Sequence, residues 1–146
     1  MKDRFSAHAN QYAQFRPTYP PALYEFIYQH VRHFEAAWDC GTGNGQAARD
    51  LSKKFKKVFA TDLSTKQIEN AYQAQNIFYS IATEKSSFVD NSVDLITVAQ
   101  AAHWFNMEVF SEEVKRVSKL NGMVALWGYG LLSIHPEIDL LVHHFY

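Results

Sequence analysis

Apolar positions keep a regular spacing along almost the whole chain, and the period of that spacing switches repeatedly between helical and extended. Leu23, Phe26, Ile27, His30 and Phe34 recur at helical intervals behind Pro20 and Pro21, which suit a helix's first turn. The short run Ala36-Ala37-Trp38-Asp39-Cys40 follows and stops at Gly41. Ala48, Leu51 and Phe55 predict a second helix, closed by Lys53, Lys54, Lys56 and Lys57 as cations that complement its dipole. Val58-Phe59-Ala60-Thr61 is β-branched and aromatic, and halts at Asp62. Ser64 and Gln67 form a capping-box pair ahead of a third helix carrying Ile68, Ala71 and Tyr72. Residues 77–82 predict a third strand. Residues 93–99 form a nearly continuous apolar run, the pattern of a strand buried on both faces. Phe110, Val114 and Val117 mark another helix, which Asn121-Gly122 ends with turn chemistry. Met123 to Trp127 predicts a fifth strand, and Ile138, Leu141 and Val142 begin a last helix.

Strands alternating with helices predict an α/β fold, a Rossmann-like doubly wound parallel sheet with right-handed crossovers. The expected strand order is 3-2-1-4-5, with ligands at the carboxyl ends beside the switch point. Composition adds bounds to this picture. The 146 residues, 47% of them hydrophobic, suit a single domain over 1–146, with 1–20 as a lead segment and 21–146 as the α/β core. Fourteen basic against fifteen acidic side chains leave a net charge of −1, so neither nucleic acid nor an anionic membrane is the expected partner. Cys40 is the single cysteine, which rules out an internal disulfide and disfavours a cysteine-ligated metal. The N-terminal stretch is polar, and residues 123–134 are too short and too glycine-interrupted to cross a bilayer. The expectation is therefore a cytoplasmic protein. His30 with His33, and His143 with His144, pair without a third ligand, so no metal site is predicted.

The densest chemical signal is Asp39-Cys40-Gly41-Thr42-Gly43-Asn44-Gly45, placed between a predicted strand and a predicted helix. Alternate glycines let the backbone turn sharply and approach a ligand where a Cβ would clash. A nicotinamide fingerprint would need G-x-G-x-x-G, whereas here the third glycine is already Gly45. Asp39, two residues before the first glycine, could face a cationic amine, so the motif suits an amino-acid zwitterion better than a pyrophosphate. Asp62 ends the second strand about 20 residues further on, where doubly wound folds place an acid on ribose hydroxyls. Ser64 supplies the next helix cap, which leaves Asp62 for a ligand.

D-C-G-T-G-N-G, A-T-D-L-S and F-V-D-N-S-V-D-L-I-T-V together resemble a class I S-adenosylmethionine-dependent methyltransferase of the type 11 kind. Residues 12–20 (Y-A-Q-F-R-P-T-Y-P) and 99–105 (A-Q-A-A-H-W-F) resemble the small-molecule branch that includes trans-aconitate methyltransferases. The resemblance implies S-adenosyl-L-methionine as cofactor and a small-molecule acceptor, with a carboxylate as one candidate, methylated by in-line displacement at a sulfonium methyl. It implies that Asp39, Gly41 and Gly43 hold the methionine part of the cofactor, Asp62 its ribose and Leu63 the adenine. Thr83 would line the other side of the base, and Gln100 would sit beside the sulfur. Ala82 replaces an acid common in relatives, and Lys119-Leu120-Asn121-Gly122 keeps the turn before the fifth strand without its usual proline.

The same resemblance makes the N-terminal segment a lid, with Tyr12, Phe15 and Tyr19 as apolar walls and Arg16 as a fork suited to a carboxylate. The bland alternative is an extended lead into the first helix. Trp104 faces the acceptor or fills core, and His103 is a candidate general base that a carboxylate acceptor would not need. Members of the resembled fold continue past the fifth strand into a helix and a terminal antiparallel strand pair. This chain stops at Tyr146, so the expected fold lacks that pair. The fifth strand would then be an exposed edge suited to self-association. Two other functions stay open: a truncated, non-catalytic binding protein, and an NAD-dependent oxidoreductase.

Overall fold

The computed structural model describes residues 18–130, 133 and 135–145. Its elements are α1 (Pro21–Tyr28), β1 (Ala36–Cys40), α2 (Gln46–Ser52), β2 (Lys57–Asp62), α3 (Thr65–Glu69), β3 (Ile77–Ile81), β4 (Val93–Ala99), α4 (Met107–Val117), β5 (Ser118–Trp127) and α5 (Pro136–Phe145). A single 3-10 turn, Ala102–Trp104, lies between β4 and α4. The five strands pair in parallel in the order β3-β2-β1-β4-β5, the order the alternating pattern predicts. The fold is the Rossmann-like doubly wound sheet.

Strand alternation sorts the core into two layers. Ala37 of β1 and Leu95 and Ala99 of β4 join α1 and α2 through Tyr24, Ile27, Ala47, Ala48 and Leu51. Trp38, Cys40, Ile96 and Val98 face the other way, onto Phe110 and Val117 of α4. Every residue of β1 and of β4 is buried, as a central strand covered on both faces requires. Asp39 and Thr97 are therefore polar residues placed inside the sheet, and they are register partners in neighbouring strands.

Some element ends depart from the periodicity. The first helix stops at Tyr28, and the chain tightens through His30 N–H to Ile27 O and Val31 N–H to Tyr28 O. Phe34 lies in the following loop and packs edge-on against Phe55, whose ring centroid is 5.1 Å away. Phe55 is likewise outside its predicted helix, because α2 ends at Ser52. Ala71 and Tyr72 fall beyond α3, which is barely more than one turn. Asn121-Gly122 does not end α4. It lies in a bulge of β5, where Val93 and Leu95 of β4 pair with Ser118 and Met123, and Asn121 takes a φ of 66°.

At the amino end of the sheet, Asp94 anchors the entry to β1. Its Oδ2 accepts the N–H groups of Glu35 and Ala36 at 3.1 and 2.9 Å, and Lys119 Nζ lies 3.0 Å from Oδ1.

Candidate functional site

Where β1 ends, Gly41, Gly43 and Gly45 take φ values of 72°, 58° and 79°, all in the left-handed region that glycine adopts without strain. The turn is pinned to β2 because the N–H groups of Gly41 and Thr42 both donate to Thr61 O at 2.9 Å. Close approach also demands glycine at Gly41. A Cβ there would lie 2.6 Å from Ala101 Cβ and 3.2 Å from the Phe105 ring, so the turn touches the segment that follows β4.

Asp39 is fully buried. Thr97 donates to its Oδ1 at 2.8 Å and Thr42 to its Oδ2 at 2.5 Å. Burial pushes its carboxyl above the usual carboxylate range, against the pull of these hydroxyls and of the Ala48 backbone N–H, with nearby Asp62 adding to the rise. Among the described residues no cation pairs with it. A buried carboxylate held this way is suited to a ligand that brings its own positive charge.

Asp62 sits at the end of β2, half-buried. Its Oδ2 accepts from Gly43 N–H at 2.7 Å and its Oδ1 from Ser64 N–H at 2.9 Å. The expectation that the carboxylate is wholly reserved for a ligand is thus corrected: each oxygen already fixes one backbone group. A carboxylate has about four lone-pair positions, so each oxygen keeps capacity to accept from a hydroxyl. Ser64 does cap α3, accepting from Gln67 N–H at 3.4 Å.

Leu63 is half-buried directly after Asp62. Thr83 follows β3, and its carbonyl accepts from Cys40 Sγ at 3.6 Å. Gln100 follows β4 with a φ of 57°, a costly conformation for a residue with a Cβ. Its N–H donates to Trp127 O at 2.9 Å and its Nε2 to Tyr129 O at 3.1 Å, tying the carboxyl ends of β4 and β5 together. His103 and Trp104 are exposed on the 3-10 turn, with ring centroids 4.8 Å apart. Tyr19 is buried and packs edge-on against Trp127 at 5.4 Å, so in this structure it is a core contact. Tyr12, Phe15 and Arg16 lie outside the described residues.

Asp39, the glycine turn, Asp62 and Thr83 are therefore linked at one end of the sheet, with Gln100 following β4 at that same end. Thr42 and Thr97 complete the arrangement and were missed by sequence reasoning. Thr97 could have been found as a polar residue interrupting a buried apolar strand. A separate cavity of about 260 Å³ lies beside the turn, lined by residues such as Arg49, Asn70 and Tyr72, and meets this set at Asn44 and Gly45. Among the described residues no group of three or more His, Cys, Asp or Glu could hold a metal ion. No helix among them is long and apolar enough to cross a membrane.

Residues 38–126 match the model of a methyltransferase domain. The chain is 46% identical over 144 residues to a methyltransferase of Dictyostelium discoideum, covering 97% of this chain and 55% of that one. It is 30% identical over 142 residues to an S-adenosylmethionine-dependent methyltransferase of Saccharomyces cerevisiae, covering 90% and 46%. The chain thus spans about half the length of these relatives. Among solved structures, a type II methyltransferase of Anaeromyxobacter dehalogenans superposes with a TM-score of 0.79 at 36% identity, over 90% of this chain and 57% of that one. The YcgJ protein of Bacillus gives a TM-score of 0.67 at 27% identity over 84% and 56%. With the fold, the glycine turn and these likenesses in agreement, the chain belongs to the class I S-adenosylmethionine-dependent methyltransferases.

Proposed function

We propose that this chain binds S-adenosylmethionine across the carboxyl ends of β1, β2 and β4 and serves methyl transfer to a small molecule, a carboxylate being the first class to try. The observation that carries the reading is Asp39, a buried carboxylate that no cation among the described residues pairs with, linked through the glycine turn to Asp62. Asp39 would receive the cofactor's amine, Gly41 would let its methionine part lie close to the backbone, and Asp62 would accept from the ribose hydroxyls. Leu63 and Thr83 would flank the base, with Gln100 near the sulfur. When bound, the cofactor supplies a methyl group already activated by its sulfonium. The protein's part is then to align the acceptor and exclude water, and no residue need act as a base toward a carboxylate. Tyr12, Arg16 and Trp104 are the proposed acceptor-side residues.

Calorimetry with S-adenosylhomocysteine tests the cofactor site directly. Asp62→Ala should abolish measurable binding while circular dichroism keeps the wild-type form; unchanged affinity would remove Asp62 from the ribose. Labelled S-adenosylmethionine with a panel of small carboxylates tests turnover. A second reading is a chain that binds the cofactor without turning it over. Tight binding with no label transferred to any acceptor would select it. An oxidoreductase reading predicts a thermal shift with NAD and none with S-adenosylhomocysteine, against the glycine spacing. We also propose that β5, an edge strand among the described residues, pairs with β5 of a second copy.

A further inference from the structure

We propose that Glu84 is a positioning residue that couples the cofactor side of the site to the loop carrying His103 and Trp104. The inference rests on the cofactor reading, in which Thr83 flanks the base, and it assigns a task to a side chain outside that set. Glu84 follows Thr83 directly, and its Oε1 accepts from Asn106 N–H at 2.8 Å. Asn106 is the residue that starts α4, its own Oδ1 accepting from Glu108 and Val109 N–H at 3.1 and 3.3 Å. It is also two residues past Trp104, so the carboxylate fixes the far end of the segment that presents both aromatic side chains.

Other contacts close the frame around this bond. Phe105, just before Asn106, reaches back to Gly41 and packs on Phe110 at 5.4 Å. Cys40 holds the Thr83 carbonyl from below. Ser86, on the other side of Glu84, is clamped by Glu113 of α4, which accepts from its N–H at 2.8 Å and its hydroxyl at 2.5 Å. The Ser86–Glu113 link is part-buried and anchors the segment, whereas the Glu84–Asn106 link lies at the exposed rim. Hydrogen bonds exposed at a rim open locally before the fold does. Ordering residues 83 and 84 against a bound base would hold the carboxylate in place and keep the Asn106 amide closed. The acceptor-side loop would then be set once the cofactor is bound.

Amide hydrogen exchange on the whole chain, with and without S-adenosylhomocysteine, reads this coupling. In the wild type, ligand should slow exchange across residues 102–106 by about three- to tenfold, the size of one modest hydrogen bond. Glu84→Ala should bind S-adenosylhomocysteine within about threefold of the wild type, since the bond it removes is a single modest one, yet lose that slowing. Glu84→Gln, whose amide oxygen still accepts, should restore it. Slowing that survives in Glu84→Ala overturns the proposal, and so does equal loss in both variants. Wild-type binding without slowing at 102–106 overturns the coupling alone. Failure of the wild type to bind overturns the cofactor reading and the coupling with it.

Discussion

A carboxylate enclosed in the sheet, with no cation among the described residues beside it, is an expensive residue to keep, and Asp39 shows what it is kept for. Its folded form favours the proton because burial outweighs the two hydroxyls and the backbone N–H that favour charge. A carboxyl raised above its unfolded value contributes stability below the ordinary carboxylate pKa of about 3.9 and loses it as pH rises through the folded value. Asp39→Asn should therefore be at least as stable as the wild type at pH 7, with the difference shrinking toward pH 4. The same variant should bind S-adenosylhomocysteine about 10- to 100-fold more weakly, the cost of a hydrogen bond to a charged group. Urea melts at both pH values and calorimetry check the two halves. A loss of more than about 2 kcal/mol at pH 7 would mean that its hydroxyl bonds outweigh its burial. Gly45→Ala belongs to the same scale. Its φ of 79° and the overlap of a Cβ with Tyr79 Oη should cost about 2 kcal/mol or more in the same melts. Asp39, the glycines and Asp62 were legible in the sequence because their chemistry depends on local spacing. Thr97 was not, because its bond to Asp39 depends on the register of two strands 58 positions apart.

Elements carry the next layer of argument, most clearly where β3 returns to β4 without a helix. Glu113 of α4 holds this connection. It is buried, accepts twice from Ser86, and is bridged by Arg116, whose Nη1 also reaches Phe88 O and Asp90 at 2.6 Å. Burial alone would raise its carboxyl, but the bonds from Arg116 and Ser86 win and hold it at about 2, below an ordinary value of 4.5. A lowered carboxyl contributes stability above its unfolded pKa and loses it as pH falls through the folded one. Stability should therefore decline from about pH 4.5 to about pH 2, and Glu113→Gln should remove much of that slope. At pH 7 the variant should lose about 1–3 kcal/mol. A melt series that leaves the slope unchanged would assign acid sensitivity to other carboxylates. The periodicity gave the kind and order of these elements but misplaced several ends. Phe34 and Phe55 continue a helical spacing, yet they bury against each other from loops, and burial alone does not distinguish the two.

For the whole molecule the decisive contrast is between β4 and β5. β4 is buried at all seven positions, whereas β5 has β4 on one side and no further described strand on the other. Leu120 is 91% exposed and Leu126 45%, so its side chains are incompletely covered as well. Parallel order was legible from the alternation of elements, while the bulge at Asn121-Gly122 was not, since the same residues also signal a helix end. An unpaired edge offers backbone donors and acceptors to any extended segment, and a two-fold axis lets the same strand satisfy itself in antiparallel pairing. The wild-type chain should therefore sediment with a weight that rises with concentration. Leu126→Lys puts a charge beside that edge, the device by which natural sheets blunt such pairing, and should return the chain to monomer. Its cofactor affinity should stay unchanged, because Leu126 lies outside the Asp39–Asp62 arrangement. A wild type that stays monomeric across the concentration series, or a variant that associates equally well, would rule out pairing through β5.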